Sequence, residues 1–320
     1  MQTRRIAIAA ALSFAFTAQC AVAQISITTS QTGIGNRLVA EQLAVSPSAT
    51  VVISQVGSGN VAGEPVLRVG GVFQTNSSDV YAVIDQTGHA NVAVSQQDGV
   101  WRGGTQIKQT GSGNYANGLQ DQTGAADIWI TQQGANNTSD VQQRGVGPFL
   151  VETRQIGSDN LITITERMSG YAGPVVEQIG TANVVTIDQN NAYYSGVGVR
   201  QNGTQNAASV TQRNTLFTDG SLIVQNGSRN IASNDEGGER NASTILQNGD
   251  ANDASVTQRQ SSSESSITQN GIANRARVTQ TGELTIANPR NYSSISQIGE
   301  GFSATVAQSG SNNQSVIVQH

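Results

Sequence analysis

Gln201-Asn202-Gly203-Thr204-Gln205-Asn206-Ala207-Ala208-Ser209-Val210-Thr211-Gln212 is one copy of a pattern that organises the chain. Its opening, Gln-x-Gly-x-x-Asn or a near copy, starts at Gln86, Gln109, Gln132, Gln155, Gln178 and Gln201, a constant step of 23 residues. Each start is answered 11 residues later, by Gln97, Gln120, Gln143, Glu166, Gln189 and Gln212. A step held over six copies is the signature of a repeat architecture, and the rest of the chain is read against it.

Outward from this block the pattern continues with changes. Gln31 to Asn36 is a full copy answered by Gln42, and Gln55 to Asn60 is a second whose answering position is Val66. Residues 61–80, with Pro65 and Gly70-Gly71, read as an inserted loop. The copy at Gln109 is blurred where Asn117-Gly118-Leu119 replaces the usual ending. Downstream, copies start at Gln225, Gln247 and Gln269 after steps of 24, 22 and 22 residues. Residues 233–240 are polar and read as an exposed turn. Gln280, Gln297 and Gln308 carry further Gln-x-Gly starts, and the phase across 283–292 stays open. The last copy runs from Gln308 to Asn313 and is answered by Gln319. Twelve or thirteen units of about 22–23 residues fill 24–320 as a single domain.

Within a unit the apolar positions alternate with the strand period of two. Asn206, Ala208, Val210 and Gln212 share one face, as do Asn252, Ala254, Val256, Gln258 and Asn274, Ala276, Val278, Gln280. The preceding arm supplies Ile130, Val199, Ile223, Ile245 and Ile267, each two residues before its glutamine. Between the arms, glycine supplies the φ > 0 that a tight turn needs: Gly88, Gly111, Gly134, Gly157, Gly180, Gly203, Gly227, Gly249, Gly271 and Gly310.

One strand-turn-strand unit cannot bury its inner face, but stacked units can. The expected fold is all-β, a parallel two-sheet β-solenoid. Rungs about 4.8 Å apart would make a rod of roughly 55–60 Å. Parallel stacking places like residues above like, so inner amides form ladders. The ladder glutamines are the six starts from Gln86 to Gln201 and their glutamine answers from Gln97 to Gln212, together with Gln247, Gln258, Gln269, Gln280, Gln308 and Gln319. The ladder asparagines are Asn91, Asn114, Asn137, Asn160, Asn183, Asn206, Asn252, Asn274 and Asn313. Glu166, between Gln143 and Gln189, is expected to accept from both of their amides.

Composition agrees with this reading. Only 12% of residues are charged and 4% aromatic, with 35 glycines and a net charge of −5. Mild acidity argues against a nucleic-acid partner, which wants a basic stripe. The first 23 residues read as a signal peptide: Arg4-Arg5, an apolar run from Ile6 to Phe16, and Ala21-Val22-Ala23 as the cleavage site. Cys20, the single cysteine, would leave with it. No later apolar run is long enough for a membrane span.

Catalytic, cofactor and metal sites find no foothold in the pattern. His89 sits in a turn and His320 is the last residue; neither has a partner at metal-ligand spacing. Asp85, Asp98, Asp127, Asp140, Asp159 and Asp188 fall in different phases of the unit and build no obvious acid-base cluster. Calcium-binding Gly-Gly-x-Gly-x-Asp nonapeptides are absent. Outward threonines such as Thr211 and Thr257 are not uniform enough for an ice-binding array.

The unit Ser-x5-Gln-x-Gly-x-x-Asn-x-Ala-x3-Gln, seen in Gln201–Gln212, Gln247–Gln258 and Gln269–Gln280, resembles the curlin repeat of curli, the functional amyloid fibres of bacterial surfaces. The resemblance covers nearly all of the chain after Ala23. It implies a secreted, non-enzymatic subunit that passes through the periplasm and polymerises with itself into cross-β fibres for adhesion and biofilm matrix. It also implies a companion nucleator subunit and a dedicated outer-membrane secretion pore with accessory factors. Two features depart from the family: the chain has more than twice the usual number of repeats, and no glycine-rich targeting stretch follows Ala23. The alternative expectation is a β-solenoid adhesin or carbohydrate-binding protein that does not polymerise. Both terminal strand patterns, Ile25–Thr29 and Ser315–Gln319, carry no visible cap, which favours the fibre because an open strand edge is a template for another chain.

Overall fold

The computed structural model describes residues 25–45, 48–62, 71–171, 173–217, 220–259, 262–282 and 290–320. These residues form a parallel β-solenoid of about twelve turns and no helix. Two sheets make the walls, one of 13 strands and one of 14 among the described residues. The first arm of each turn lies in the 13-stranded sheet, for example Asp127–Ala135, Leu150–Ser158 and Pro174–Thr181. The second arm lies in the other, for example Thr138–Arg144, Leu161–Arg167 and Val184–Tyr193.

Every pairing is parallel, and like repeats meet like: Gln132 pairs with Gln155, Gln155 with Gln178, and Gly134 with Gly157. The core between the sheets is dry and β-branched. Ile128, Ile130, Val151, Ile162, Ile164, Val185 and Ile187 are fully buried or nearly so. Each such side chain removed from water contributes roughly 1.5–3 kcal/mol, and alternation turns every second residue of each arm outward.

The arc that closes the first arm is fixed by its glycine. Gly157 has φ 121°, and a Cβ there would lie 1.9 Å from the carbonyl oxygen of Gly180 in the next turn. The same clash recurs at Gly134 and Gly180. Glycine is required here for the close approach of successive backbones as well as for its positive φ.

Three sequence expectations change. Residues 233–240 are not an exposed turn: Ile231–Glu239 is a strand, with Asn234 and Glu236 buried. Asn234 stacks on Val210 and Val256, so polar composition had disguised an ordinary core-facing arm. Residues 61–80 are not one loop: Val61–Ala62, Val72–Thr75 and a strand from Ser78 onward all join the sheets. Val66 lies outside the described residues, and Gln74 fills the answering place. Third, the phase left open near the end is fixed, and Gln308 and Gln319 exchange their expected roles. Gln297 stacks under Gln269 in the first-arm sheet, and Gln308 stacks under Gln280 in the second. Gln308 therefore answers Gln297, and Gln319 takes the first-arm place of the next turn, at the end of the strand Gln314–Gln319. At Gln109 the blurred copy keeps full register, with Gly118 paired to Ser95 and Val141.

Candidate functional site

The feature the sequence is built around is a set of three amide columns through the core. The first-arm column contains thirteen glutamines, Gln31, Gln55, Gln86, Gln109, Gln132, Gln155, Gln178, Gln201, Gln225, Gln247, Gln269, Gln297 and Gln319. Each Nε2 except that of Gln319 donates to the Oε1 one turn on, at 2.6 Å for Gln31 to Gln55 and 2.7–2.9 Å thereafter. The same nitrogen also holds the backbone of the opposite arm: Gln132 Nε2 donates to Tyr115 O at 2.9 Å and Asn137 O at 3.1 Å. A buried amide left without such partners would cost about 1–3 kcal/mol.

An asparagine column runs beside it with opposite polarity. Asn137 Nδ2 donates back to Asn114 Oδ1 at 3.0 Å and forward to the carbonyl of Gly157 at 2.9 Å. The Asn137 backbone N–H also donates to Asn114 Oδ1, at 3.1 Å. The arrangement holds for Asn91, Asn114, Asn160, Asn183, Asn206, Asn252 and Asn274. Asn230, which the sequence reading did not single out, belongs to it too and bonds Asn206 at 3.0 Å. Its signal was present in Gln225-Asn226-Gly227-Ser228-Arg229-Asn230. Asn313, expected here, bonds instead to Asn291 at 3.1 Å. That pair, with Gly310, sits in the arc after the second arm, as the corrected phase requires.

The second-arm column runs through Gln42, Gln74, Gln97, Gln120 and Gln143, then meets Glu166. Gln143 Nε2 donates to Glu166 Oε2 at 2.8 Å. The expected second bond, from Gln189, does not form. The column has one direction, so Gln189 Nε2 is turned onward to Gln212 Oε1 at 2.7 Å and to Ser195 O at 2.9 Å. Glu166 Oε1 and Gln189 Oε1 are left buried without a partner.

A second carboxyl, which the sequence reading had placed in a turn, repeats this. Gln212 Nε2 donates to Glu236 Oε2 at 2.9 Å, Ser243 Oγ donates to Glu236 Oε1, and the next acceptor, Gln258 Oε1, has no donor. The column then resumes through Gln258, Gln280 and Gln308. Burial pushes the Glu166 carboxyl up to about 8 against a relieving bond from Gln143, and Glu236 up to about 7 against bonds from Ser243 and Gln212.

The outer face is a mosaic. Arg144–Asp121 (2.7 Å), Arg200–Glu177 (3.1 Å) and Arg275–Asp253 (3.1 Å) are exposed cross-turn ion pairs. Exposed pairs of this kind contribute little. Tyr81 Oη donates to Asp127 Oδ1 at 3.0 Å and accepts from Trp129 Nε1 at 3.3 Å, bridging turns across the small Gly104. Tyr171, Tyr194 and Phe217 stack along one edge, and Phe149 meets Tyr171 edge to face, with centroids 4.7–5.3 Å apart. Among the described residues no group of three His, Cys, Asp or Glu is placed to hold a metal ion, and no helix is long and apolar enough to cross a membrane.

At the two ends of the 13-stranded sheet, Ser26–Ile34 and Gln314–Gln319 each have one hydrogen-bonded neighbour among the described strands. Such a rod suits a surface adhesin or a fibre-like protein. No family model matches the chain, and no curated protein matches it.

Proposed function

We propose that this protein is a secreted, non-enzymatic structural subunit that assembles end to end into cross-β fibres of the curli type, serving surface adhesion and biofilm matrix. The observation that carries the reading is the unbroken glutamine column. Every turn presents the next with the same row of backbone groups and the same aligned amide, so a second copy of the chain can add at a terminal strand as another turn does. The resemblance to the curlin repeat supports it, and the apolar inner residues of the edge strand, such as Ile317, lie against the core. On this reading the chain passes through the periplasm to the cell surface. Its main partner is itself, with a companion nucleator and an outer-membrane pore expected from the resemblance.

The test is assembly of the purified chain lacking residues 1–23. Fibres should bind thioflavin, seed fresh monomer, and diffract at about 4.7–4.8 Å and about 10 Å. A protein that stays monomeric for days at tens of micromolar, with seeds present, rejects the fibre and leaves the adhesin. Val316→Pro sharpens the geometry: it places a residue lacking an N–H on an edge strand and should slow elongation at that end. Unchanged elongation would rule out growth through Gln314–Gln319.

A further inference from the structure

The glutamine columns contain two buried acceptors that receive no bond, and both sit one turn after a glutamate. Gln189 Oε1 follows Glu166, and Gln258 Oε1 follows Glu236. Every ladder glutamine beyond Gln31 and Gln42, these two aside, accepts from the amide of the turn before it. A glutamine side chain hands a hydrogen onward because it carries both a donor and an acceptor. An ionised carboxylate has acceptors only, whereas a carboxylic acid again has one of each. With a proton on Oε1, Glu166 could donate to Gln189 Oε1, and Glu236 could donate to Gln258 Oε1. The second-arm column would then keep one polarity through both glutamates, and the orphaned oxygens of Gln189 and Gln258 would be accounted for.

We infer that Glu166 and Glu236 are proton-binding sites built into the second-arm column, so that the solenoid folds with two neutral carboxylic acids in its core and forms more readily in mild acid than in alkali.

The surroundings support neutrality. Both side chains are 0% exposed. Around Glu166, the charged residues on its own strand and the adjoining turns are Asp140, Arg144, Arg167 and Asp188; none is buried, and Arg144 and Arg167 are turned to solvent against Asp121 and Asp188. From the opposite sheet, Glu152, Arg154 and Glu177 alternate outward, and Thr153, Gln155, Val176 and Gln178 face inward. Around Glu236, the adjoining charges are Arg213, Asp235, Glu239, Asp253 and Arg259, with Asp235 paired to Arg259 outside the core. The opposite sheet turns inward Ser221, Ser243 and Ser265, while Asp250 and Glu264 lie outside with Arg229 and Arg290. Neither glutamate therefore has a buried cation, and an unpaired buried carboxylate neutralises rather than persists. The upward displacement of both groups by burial agrees. The inference concerns the rod itself and holds whether or not rods join into fibres.

The experiment is a denaturant titration of the folded chain between pH 4 and 9, for the unaltered protein, Glu166→Gln, Glu236→Gln and the double variant. Glutamine supplies the missing donor permanently, so the variants are expected to fold. In the unaltered protein the folded-to-unfolded ratio should fall about tenfold per pH unit for each carboxyl between its unfolded and its folded value, and level off above. Each single variant should lose one carboxyl's share of that slope, and the double variant should lose both. Parallel pH profiles for the unaltered and doubly substituted proteins would overturn the inference. As a second measurement, infrared spectra of the folded protein near pH 6 should contain the carbonyl band of a protonated carboxyl, absent from the double variant. A spectrum of the unaltered protein without that band would equally overturn it. Fibre formation is scored separately, so its failure would not be mistaken for failure here.

Discussion

The two halves of each turn obey different rules. From a first-arm glutamine to its answering residue the chain takes 11 residues in every described turn but one, where Gln55 is answered by Gln74. From the answering residue to the next start it takes 11, 12, 13 or, between Gln280 and Gln297, 17 residues. The cause is how closely successive backbones approach. In the first arc a Cβ at Gly157 would sit 1.9 Å from the next carbonyl, so neither side chain nor extra residue fits. In the second arc a Cβ at Gly145 would meet nothing nearer than 3.9 Å. That arc accepts Val100, Thr123, Val146, Ser169, Ala192 or Thr215 at one buried position, and stacked aromatics at its edge. The columns follow suit. The first is unbroken glutamine, and the second tolerates two glutamates. Close packing, more than hydrogen bonding as such, decides where this repeat is allowed to vary.

The largest break in that comparison should come from alanine in the two arcs. Gly157→Ala combines a forbidden contact with a φ of 121°, and a loss above ~3 kcal/mol is expected. Gly145→Ala, at φ 60° in open space, should lose only the left-handed preference, about 1–2 kcal/mol. Denaturant midpoints of the two variants measure the difference; equal losses would mean that the first arc relaxes as easily as the second. Next in size is the pair of columns. Gln155→Leu strips the donor from Gln178 and the acceptor from Gln132, a loss of about 2–3 kcal/mol. Gln189→Leu should lose less in alkali, where an ionised Glu166 gives its carbonyl no donor.

The pH response sharpens the same contrast. Glu166 is raised in the folded state to about 8 from an ordinary 4.5. A raised carboxyl binds its proton more tightly folded than unfolded. Stability is therefore highest below pH 4.5 with respect to this group, declines between 4.5 and about 8, and is flat above. The slope is about 1.4 kcal/mol per pH unit per group as an upper figure. Glu166→Gln should thus stabilise most in alkali and little in acid. The first-arm column, all glutamine, adds no such slope.

How much of this could be read from the residues follows from the same asymmetry. The first arc announces itself, because the close approach at its glycine repeats from turn to turn; the step of 23 residues, the strand period and the ladders were all legible there. Glu236 was not, because Ser233-Asn234-Asp235-Glu236-Gly237-Gly238 has the composition of a surface turn. Its place in the column is visible only by counting 11 residues from Gln225. The phase at the end misled for a related reason. Gln308-Ser309-Gly310 imitates a first-arc start, but a longer second arc before Gln297 had already shifted the frame. Gln74 was hidden by residues inserted after Ala62. Local motif and global count disagreed in these places, and stacking sided with the count.

The smallest expected effect tests whether the freedom of the second arc is neutral or used. Tyr194 stacks on Tyr171 at 4.7 Å and 3°, and on Phe217 at 5.1 Å and 17°, while remaining about half exposed. It does so from a left-handed backbone, φ 53°, which a tyrosine adopts at some penalty. Tyr194→Ala keeps most of that penalty and deletes two ring contacts, so a loss of about 1 kcal/mol is expected. Tyr194→Gly deletes the same contacts but relieves the backbone by a similar amount, and should leave the denaturant midpoint nearly unchanged. If the rings contribute nothing, alanine will be neutral and glycine will stabilise. If alanine and glycine are equally destabilising, the left-handed residue is under no strain, and the second arc is shaped by its aromatic edge rather than merely accommodating it.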